Sequence, residues 1–141
     1  MLSFERLIID RIIDQVLGFT TVGNASKLVG VRDIGLLLPG CFVLPGASEN
    51  LESSLAIELQ AWEVIIIVPH QHDDDADGLT EDIAGRFMAG VFTALQRWLP
   101  TGKRLGTFVY QGRGQPHYKL GYAEFPMTFH VKASLIFATK S

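Results

Sequence analysis

The segment HQHDDDADG, residues 70–78, contains two histidines and four aspartates, which are residue types that bind metal ions. Its second half matches the first six positions of an EF-hand calcium loop, D-x-D-x-D-G, at Asp73, Asp75, Asp77 and Gly78. Glu81 falls at the ninth position, but the twelfth, where an EF-hand supplies a bidentate glutamate, is Ala84. The residues before the loop also have a strand-like pattern, whereas an EF-hand requires a helix there. The match to a calcium loop is therefore incomplete.

A second interpretation takes His70 and His72 as a transition-metal pair completed by Asp73, as in a metal-dependent hydrolase. This pair lacks the H-x-x-x-H spacing on a helix, and no cysteine lies nearby. The simpler interpretation is an acidic loop before a helix. Asp77 can cap free backbone N–H groups, and Asp82 lies in the first turn, where the positive end of the helix favours negative charge. We therefore expect neither a metal nor any other cofactor.

Other catalytic arrangements have no better support in the sequence. There is no G-x-S-x-G motif, and the only cysteine, Cys41, lies in an apolar run typical of a buried thiol. GRG at 112–114 has no following helix that could bind a phosphate. His130 alternates onto the polar face of a predicted strand, and Glu58 and Glu63 are isolated carboxylates on another. We therefore expect that the protein is not an enzyme.

Length and composition predict one soluble domain, residues 1–141. Of the 141 residues, 48% are hydrophobic and 19% are charged, which is ordinary globular composition. The single cysteine excludes a disulfide framework and fits a reducing compartment. No signal peptide or membrane-spanning run is visible, so we expect no membrane association.

Charge is unevenly distributed along the chain. Residues 1–96 hold five Lys/Arg and fourteen Asp/Glu, whereas residues 97–141 hold seven Lys/Arg and one acidic residue, Glu124. The two parts therefore carry about −9 and +6, although the net charge is only −3. The basic residues form no run, so specific nucleic-acid binding has no support. The asymmetry instead suggests an interaction surface.

Apolar spacing in the first half predicts a helix followed by strands. Residues 3–18 have a helical apolar stripe, with Ser3 as N-cap and Gly18 as the stop. Residues 19–53, rich in Gly, Ser, Asn and Pro, predict loops around one or two short strands, with Pro39 and Pro45 outside any central strand. Residues 54–68 predict a long strand whose apolar phase slips near residues 61–62. Either a β-bulge or burial of both faces would explain that slip.

The second half predicts a helix and two further strands. A broad apolar stripe over residues 79–99 predicts a helix ended by Pro100 and Gly102. A strand over residues 104–111 and a loop with glycines follow. Alternation from Phe125 to Phe137 predicts a long strand with one face in the core. The expected fold is α+β, a mainly antiparallel sheet with two helices packed on one face.

The chain resembles the phage tail terminator proteins, in particular those of Mu-like phages with contractile tails. The resemblance lies in the order of ELQAWEVIIIVPHQHDDD, GRFMAGVFTALQRWLP, GTFVY and YKLGYAEFPMTFHVKASL, and it covers most of the chain. It implies a structural protein that forms a sixfold ring on the tail tube, ends tube polymerisation and contacts the head–tail connector protein. It also implies assembly in the host bacterial cytoplasm, whether the gene belongs to an active phage or a prophage.

Two segments are expected to contact a neighbouring subunit or partner under this resemblance. Head-to-tail contacts build rings, so an acidic loop can face the basic C-terminal part of the next subunit. The residues concerned are Asp73, Asp74, Asp75 and Asp77 on the acidic side and Arg104 on the basic side. The second segment, a polar loop at 112–119, contains Arg113, His117, Tyr118 and Lys119. A head-completion protein, a connector-side adaptor, a metal-dependent hydrolase and a peptide-binding module remain as alternatives.

Overall fold

A computed structural model describes residues 2–28, 33–52, 57–70, 78–100 and 106–134. It contains two α-helices and six strands, together with two short 3₁₀ helices at Ala25–Leu28 and Ile34–Leu37. In chain order the elements are α1 Leu2–Gln15, β1 Thr21–Asn24, β2 Gly40–Glu52, β3 Ile57–His70, α2 Leu79–Leu95, β4 Val109–Arg113, β5 His117–Tyr118 and β6 Gly121–Ser134. Within the described ranges, no helix is long and apolar enough to cross a membrane.

The six strands form one sheet in the order β1-β2-β3-β6-β4, and β5 pairs with β6. Every pairing is antiparallel except the short one between β1 and β2. The two longest strands, β3 and β6, lie side by side in unbroken register from Ile57↔Ser134 to His70↔Gly121. This pairing confirms the predicted α+β fold, because both strands have the apolar residues that a sheet needs on its covered face.

Both helices pack on one face of the sheet and enclose the main core. Alternate residues of β3 and β6 point to this face, so Trp62 lies opposite Phe129 and Val64 lies opposite Met127. From α1 the core receives Phe4, Ile8, Ile9, Ile12 and Val16, and from α2 it receives Ala84, Met88, Val91, Ala94 and Leu95. Both helices therefore bury an apolar stripe as predicted, but Leu17, Phe92 and Leu99, which were included in the predicted stripes, are exposed.

The change in the alternation of apolar residues along β3 is explained by burial of both faces of this strand. Ile66 and Val68 face the helices, while Ile67, between them, is buried on the opposite face. Phe42, diagonal to Ile67 across the β2–β3 pair, is also fully buried on that face. β3 itself contains no bulge, since its register with β6 is continuous. The irregularities lie in β2, between Pro45 and Ser48 and between Asn50 and Glu52.

The prediction of only short strands before residue 53 was wrong for β2. This strand runs from Gly40 to Glu52 and includes Pro45. Proline is tolerated there because β1 pairs with β2 only from Gly40 to Val43, so beyond that point β2 has β3 on one side and no described strand on the other. Pro39 precedes the strand, and the Leu38–Pro39 peptide bond is cis.

The predicted ends of α1 need correction. Ser3 lies inside the helix instead of capping it, and the helix ends at Gln15. Gly18, the predicted stop, follows three residues later with φ = +106°, a left-handed conformation that favours glycine. The chain therefore turns at Gly18, after the helix has already ended.

α2 begins at Leu79, as predicted, but its C-terminal end differs from the prediction. It ends at Leu95 instead of Leu99, and Gln96 adopts an extended conformation. The residue at the N-cap position is Gly78, in a left-handed conformation and without a side-chain cap. Asp77 lies outside the described residues, and Asp82 lies in the first turn as predicted.

The last strands are displaced from the predicted positions. β4 begins at Val109 and extends to Arg113, while the predicted loop at 112–119 contains the short strand β5. β6 begins at Gly121, four residues before the predicted start, and residues 135–137 of the prediction lie outside the described residues.

Candidate interaction surface

The predicted contact residues Arg113, His117, Tyr118 and Lys119 lie together at one edge of the sheet. β4 and β5 follow each other along the side of β6 that β3 does not occupy. A turn at Lys119, whose N–H donates to the carbonyl of Tyr122 at 2.8 Å, then leads into β6. We call residues 109–119 the basic edge, since no Asp or Glu occurs between Gly106 and Ala123.

Tyr118 joins this edge to the first turn of α2. Its hydroxyl donates to Glu81 Oε2 at 2.9 Å, and its ring lies 5.0 Å from that of His70 and 6.0 Å from that of Phe125. Tyr118 is opposite Ala123 in the register, so its side chain is on the helix-covered side of the sheet. These contacts fix β5 against α2 although β5 is only two residues long.

The basic edge also carries a cross-strand pair on the opposite face of the sheet. His117 lies opposite Glu124, and His117 Nδ1 is 3.7 Å from Glu124 Oε1. Both side chains contact solvent, so the pair contributes little to stability even when the imidazole is protonated. Glu124 is the only acidic residue of the C-terminal part, so this pair partly offsets the positive charge of the edge.

A groove separates the basic edge from α2. Its first section has a volume of about 480 Å³ and lies between Glu81 and Gly85 on α2 and Arg113 on β4, with Phe125 in its wall. A second section of about 300 Å³ continues along α2 to Phe92 and shares Gly85, Met88 and Arg113 with the first. The groove is open because α2 packs mainly over β3, and Gly85 has no side chain to fill it. Its lining combines the charged side chains of Glu81 and Arg113 with the apolar side chains of Met88 and Phe125.

His70, which was considered as a metal ligand in the alternative interpretation, makes a structural contact. His70 Nδ1 lies 2.9 Å from the hydroxyl of Thr80, which is buried in the first turn of α2. This bond anchors the end of β3 to the start of α2. His72, Asp73, Asp74, Asp75, Asp77 and Arg104 lie outside the described residues, so the predictions about them remain predictions. Within the part of the chain that the structure describes, no three His, Cys, Asp or Glu side chains cluster as metal ligands would.

Three other residues considered as reactive groups occupy structural or surface positions. Cys41 is fully buried, and burial raises the pKa of its thiol, so the thiolate that reacts or binds metal is disfavoured. Glu58 accepts a hydrogen bond of 2.8 Å from the amide of Gln60. His130 lies on the sheet face that the helices do not cover, as predicted.

Sequence reasoning missed the residues of α2 that border this surface. Glu81, Gly85 and Phe92 lie along one side of the helix, next to the buried position of Met88. Gly85 and the exposed aromatic Phe92 are a signal that could have been used. Neither residue is expected on α2 if this helix packs only against the core of its own chain. Thr80 could not have been found in this way, because its contact with His70 depends on tertiary structure.

Comparison with models of known protein families identifies the family to which this chain belongs. The model of the family described as phage tail terminator protein matches residues 2–137, which is nearly the whole chain. The chain belongs to the phage tail terminator family. This terminator is therefore a structural component of a phage tail.

The fold is similar to that of a solved structure. It is described as the virion of a native gene transfer agent particle, and the match has a TM-score of 0.58 at 16% sequence identity. The match covers 90% of this chain and 91% of that one. At this identity the similarity concerns the fold alone. A search of curated proteins finds no match to this chain.

Proposed function

We propose that this terminator forms a homohexameric ring on the end of the tail tube, ends tube polymerisation and contributes to joining the head to the tail. It acts as one domain without catalysis. Its partners are further copies of itself, the tail tube protein and the head–tail connector protein. Assembly takes place in the cytoplasm of the host bacterium, and the finished ring remains in the virion tail.

The observation that carries this proposal is the family match over residues 2–137. The similarity to a chain of a gene transfer agent virion supports a role in a virion particle. The uneven charge along the chain, about −9 over residues 1–96 and +6 over residues 97–141, supports a ring, because head-to-tail contacts between unlike charges can repeat until a ring closes.

Capping of tubes is the direct test of this function. Tail tube protein from the same genome is polymerised with and without the terminator, and tube lengths are measured by negative-stain electron microscopy. We expect capped tubes to carry a ring at one end and to stop growing there when fresh tube protein is added. Native mass spectrometry should show a particle of six times the 15.5 kDa chain mass. Continued growth at both ends would refute the proposed function.

The absence of catalysis can be tested through metal content. A hydrolase built on His70, His72 and Asp73 would purify with a bound transition metal. Because the proposed function requires no metal, we expect far less than one metal ion per chain by inductively coupled plasma mass spectrometry. Stoichiometric zinc that survives dialysis would contradict this expectation.

A further inference from the structure

The hairpin turn that joins β5 to β6 presents an apolar side chain to solvent. The N–H of Lys119 donates to the carbonyl of Tyr122 at 2.8 Å, and the two residues between them form the turn. Gly121 has φ = +89°, a conformation that glycine adopts readily in such turns. Leu120 is 99% exposed, although Gly, Asn and Asp are the usual residues of a two-residue turn. Turn formation therefore does not explain this leucine. We call residues 119–121 the tip.

A small pocket lies beside the irregular part of β2, where the register with β3 shifts between Pro45 and Ser48. Its volume is about 120 Å³. Liquid water occupies about 30 Å³ per molecule, so the pocket has room for about four non-hydrogen atoms, the number in a leucine side chain. We call it the Glu58 pocket. Its lining residues are Pro45, Gly46, Ser48, Glu58, Gln60, Ala61 and Trp62.

Buried hydrogen bonds hold a carboxylate at this pocket. The indole N–H of Trp62 donates to Gln60 Oε1 at 3.0 Å, and the amide of Gln60 donates to Glu58 Oε1 at 2.8 Å. Trp62 and Gln60 are only 1% and 3% exposed, so packing fixes this chain of bonds. Glu58 itself is half-buried, and no Lys or Arg among the described residues forms an ion pair with it. The pocket thus combines an apolar wall with an oriented negative charge.

The tip has the size and the charge that this pocket accepts. Leu120 supplies four apolar carbons, and Lys119 beside it supplies an exposed ammonium group. In the part of the chain that the structure describes, no acidic side chain forms an ion pair with Lys119. Gly121 lies opposite His70, and eight residues of β3, about 27 Å, separate His70 from Trp62. A contact between tip and pocket therefore joins two chains.

We propose that the tip of one subunit inserts Leu120 into the Glu58 pocket of the next subunit, where Lys119 pairs with Glu58. The inference rests on the proposed function and names its subunit contact. Every copy has one tip and one pocket at different places, so the same contact repeats from copy to copy until a ring closes. Removal of the leucine from water favours association, and the opposite charges specify the partner.

Truncation of the leucine tests the apolar part of the contact. Leu120→Ser is compared with Leu17→Ser, which alters a leucine that is 87% exposed after the end of α1. Ring formation is measured by sedimentation velocity, and at tube ends by electron microscopy. We expect Leu120→Ser to need at least tenfold more protein for half-maximal ring formation, because burial of a leucine side chain favours association by more than a factor of ten. Leu17→Ser should assemble as wild type does.

Charge exchange tests the polar part of the contact. The variants are Lys119→Glu and Glu58→Lys, with Lys27→Glu and Glu49→Lys as controls at exposed positions. We expect each test variant alone to need at least tenfold more protein than its control. An equimolar mixture of the two test variants should recover rings, because every contact of an alternating ring of six joins opposite charges. Glu58→Gln keeps an oxygen that can accept from Gln60 and should weaken rings less than Glu58→Lys.

A disulfide tests proximity directly. Leu120→Cys and Ser48→Cys are introduced into one chain, where both positions are exposed. Oxidation on tubes should give a covalent ladder of up to six chains on a non-reducing gel, since the two cysteines of one chain are too far apart to pair. Leu17→Cys with Ser48→Cys is the control and should give no ladder.

The outcomes separate the inference from the proposed function. If wild-type rings form and Leu120→Ser, Lys119→Glu and Glu58→Lys assemble as their controls do, the inference is overturned and the proposed function stands. The inference is also overturned if these variants form normal rings that no longer bind tubes, because the tip and pocket would then contact a tail component. If wild-type protein forms no ring even on tubes, the proposed function falls and the inference with it.

Discussion

Arg11 of α1 is expected to hold the last turn of α2 in place, and its replacement should measurably destabilise the fold. Its Nε–H donates to the carbonyl of Ala94 at 2.9 Å, and its guanidinium carbon lies 5.2 Å from the centre of the Trp98 ring. The carbonyls of a final helical turn lack partners within the helix and carry its negative end, so a cation is favourable there. A hydrogen bond to a charged group contributes about 1.5–3 kcal/mol. A cation–π contact adds about 0.5–1 kcal/mol.

Arg11→Met keeps the aliphatic part of the side chain and removes both polar contacts. We expect the free energy of unfolding to fall by about 2–3 kcal/mol, since the contributions overlap and the side chain is half-buried. With a urea m-value of about 1–3 kcal/mol per molar, the unfolding midpoint followed by circular dichroism should fall by roughly 1–2 M. The unfolding midpoint of Arg11→Lys should lie between those of wild type and Arg11→Met, because lysine keeps the charge without the planar guanidinium.

Arg6→Met on the same helix is the matched control. Arg6 lies 3.3 Å from Asp10 one turn later, with both side chains mainly in solvent, so its loss should cost less than about 0.5 kcal/mol. Equal midpoint shifts for the two Arg→Met variants would refute the role assigned to Arg11.

The remaining expectations concern three buried or conformationally restricted positions. Gly18→Ala should destabilise by about 1–2 kcal/mol in a thermal melt, because φ is +106° and the added Cβ would lie 3.2 Å from the Phe87 ring. Trp62→Phe removes the buried 3.0 Å hydrogen bond from the indole N–H to Gln60 Oε1 and should cost about 1–3 kcal/mol in urea. Cys41 should react with a thiol reagent only at the rate of unfolding, because burial raises its pKa and excludes the reagent.

Each of these expectations has a defined control or contradicting result. Gly85→Ala, where the added Cβ would meet nothing within 4 Å, should leave the melting temperature unchanged or raise it. A Trp62→Phe variant as stable as wild type would show that the hydrogen bond contributes nothing net. Rapid labelling of Cys41 in native buffer would mean that the region around β2 opens locally.

The central strands could be predicted from the sequence because their pattern is periodic. β6 alternates over its whole length and has one covered face, so period-2 reasoning identifies both the strand and its core residues. β3 was harder, since Ile66, Ile67 and Val68 are all buried and the periodicity disappears where both faces are covered. The mainly antiparallel character of the sheet followed from the short loops that join neighbouring strands.

The end of α2 and the length of β2 could not be predicted because tertiary contacts determine them. The apolar pattern continues to Leu99, but Arg97 adopts φ = +65° and its N–H donates to the carbonyl of Phe108. The side chain of Gln96 accepts a hydrogen bond from the backbone of Tyr110 in β4. This contact stabilises the extended conformation of Gln96, so the helix does not continue. The length of β2 was not predicted because its Pro, Gly and Ser residues are typical of loops. Its pairing with β3 makes this segment a strand, and the local sequence does not show that pairing.

Part of the candidate surface was accessible from the sequence. Arg113, His117, Tyr118 and Lys119 were chosen from loop composition, and they do lie together on the basic edge. Their partners on α2 were not predicted, because the 2.9 Å bond between Tyr118 and Glu81 joins residues far apart in the chain. The role of these residues as contacts to another subunit remains a prediction.

The exposed end of β2, residues 45–51, has an evolutionary consequence. Its side chains contribute nothing to the core, so most substitutions there leave stability nearly unchanged. Mutations can therefore accumulate in residues 45–51 faster than in the strands that hold the fold together.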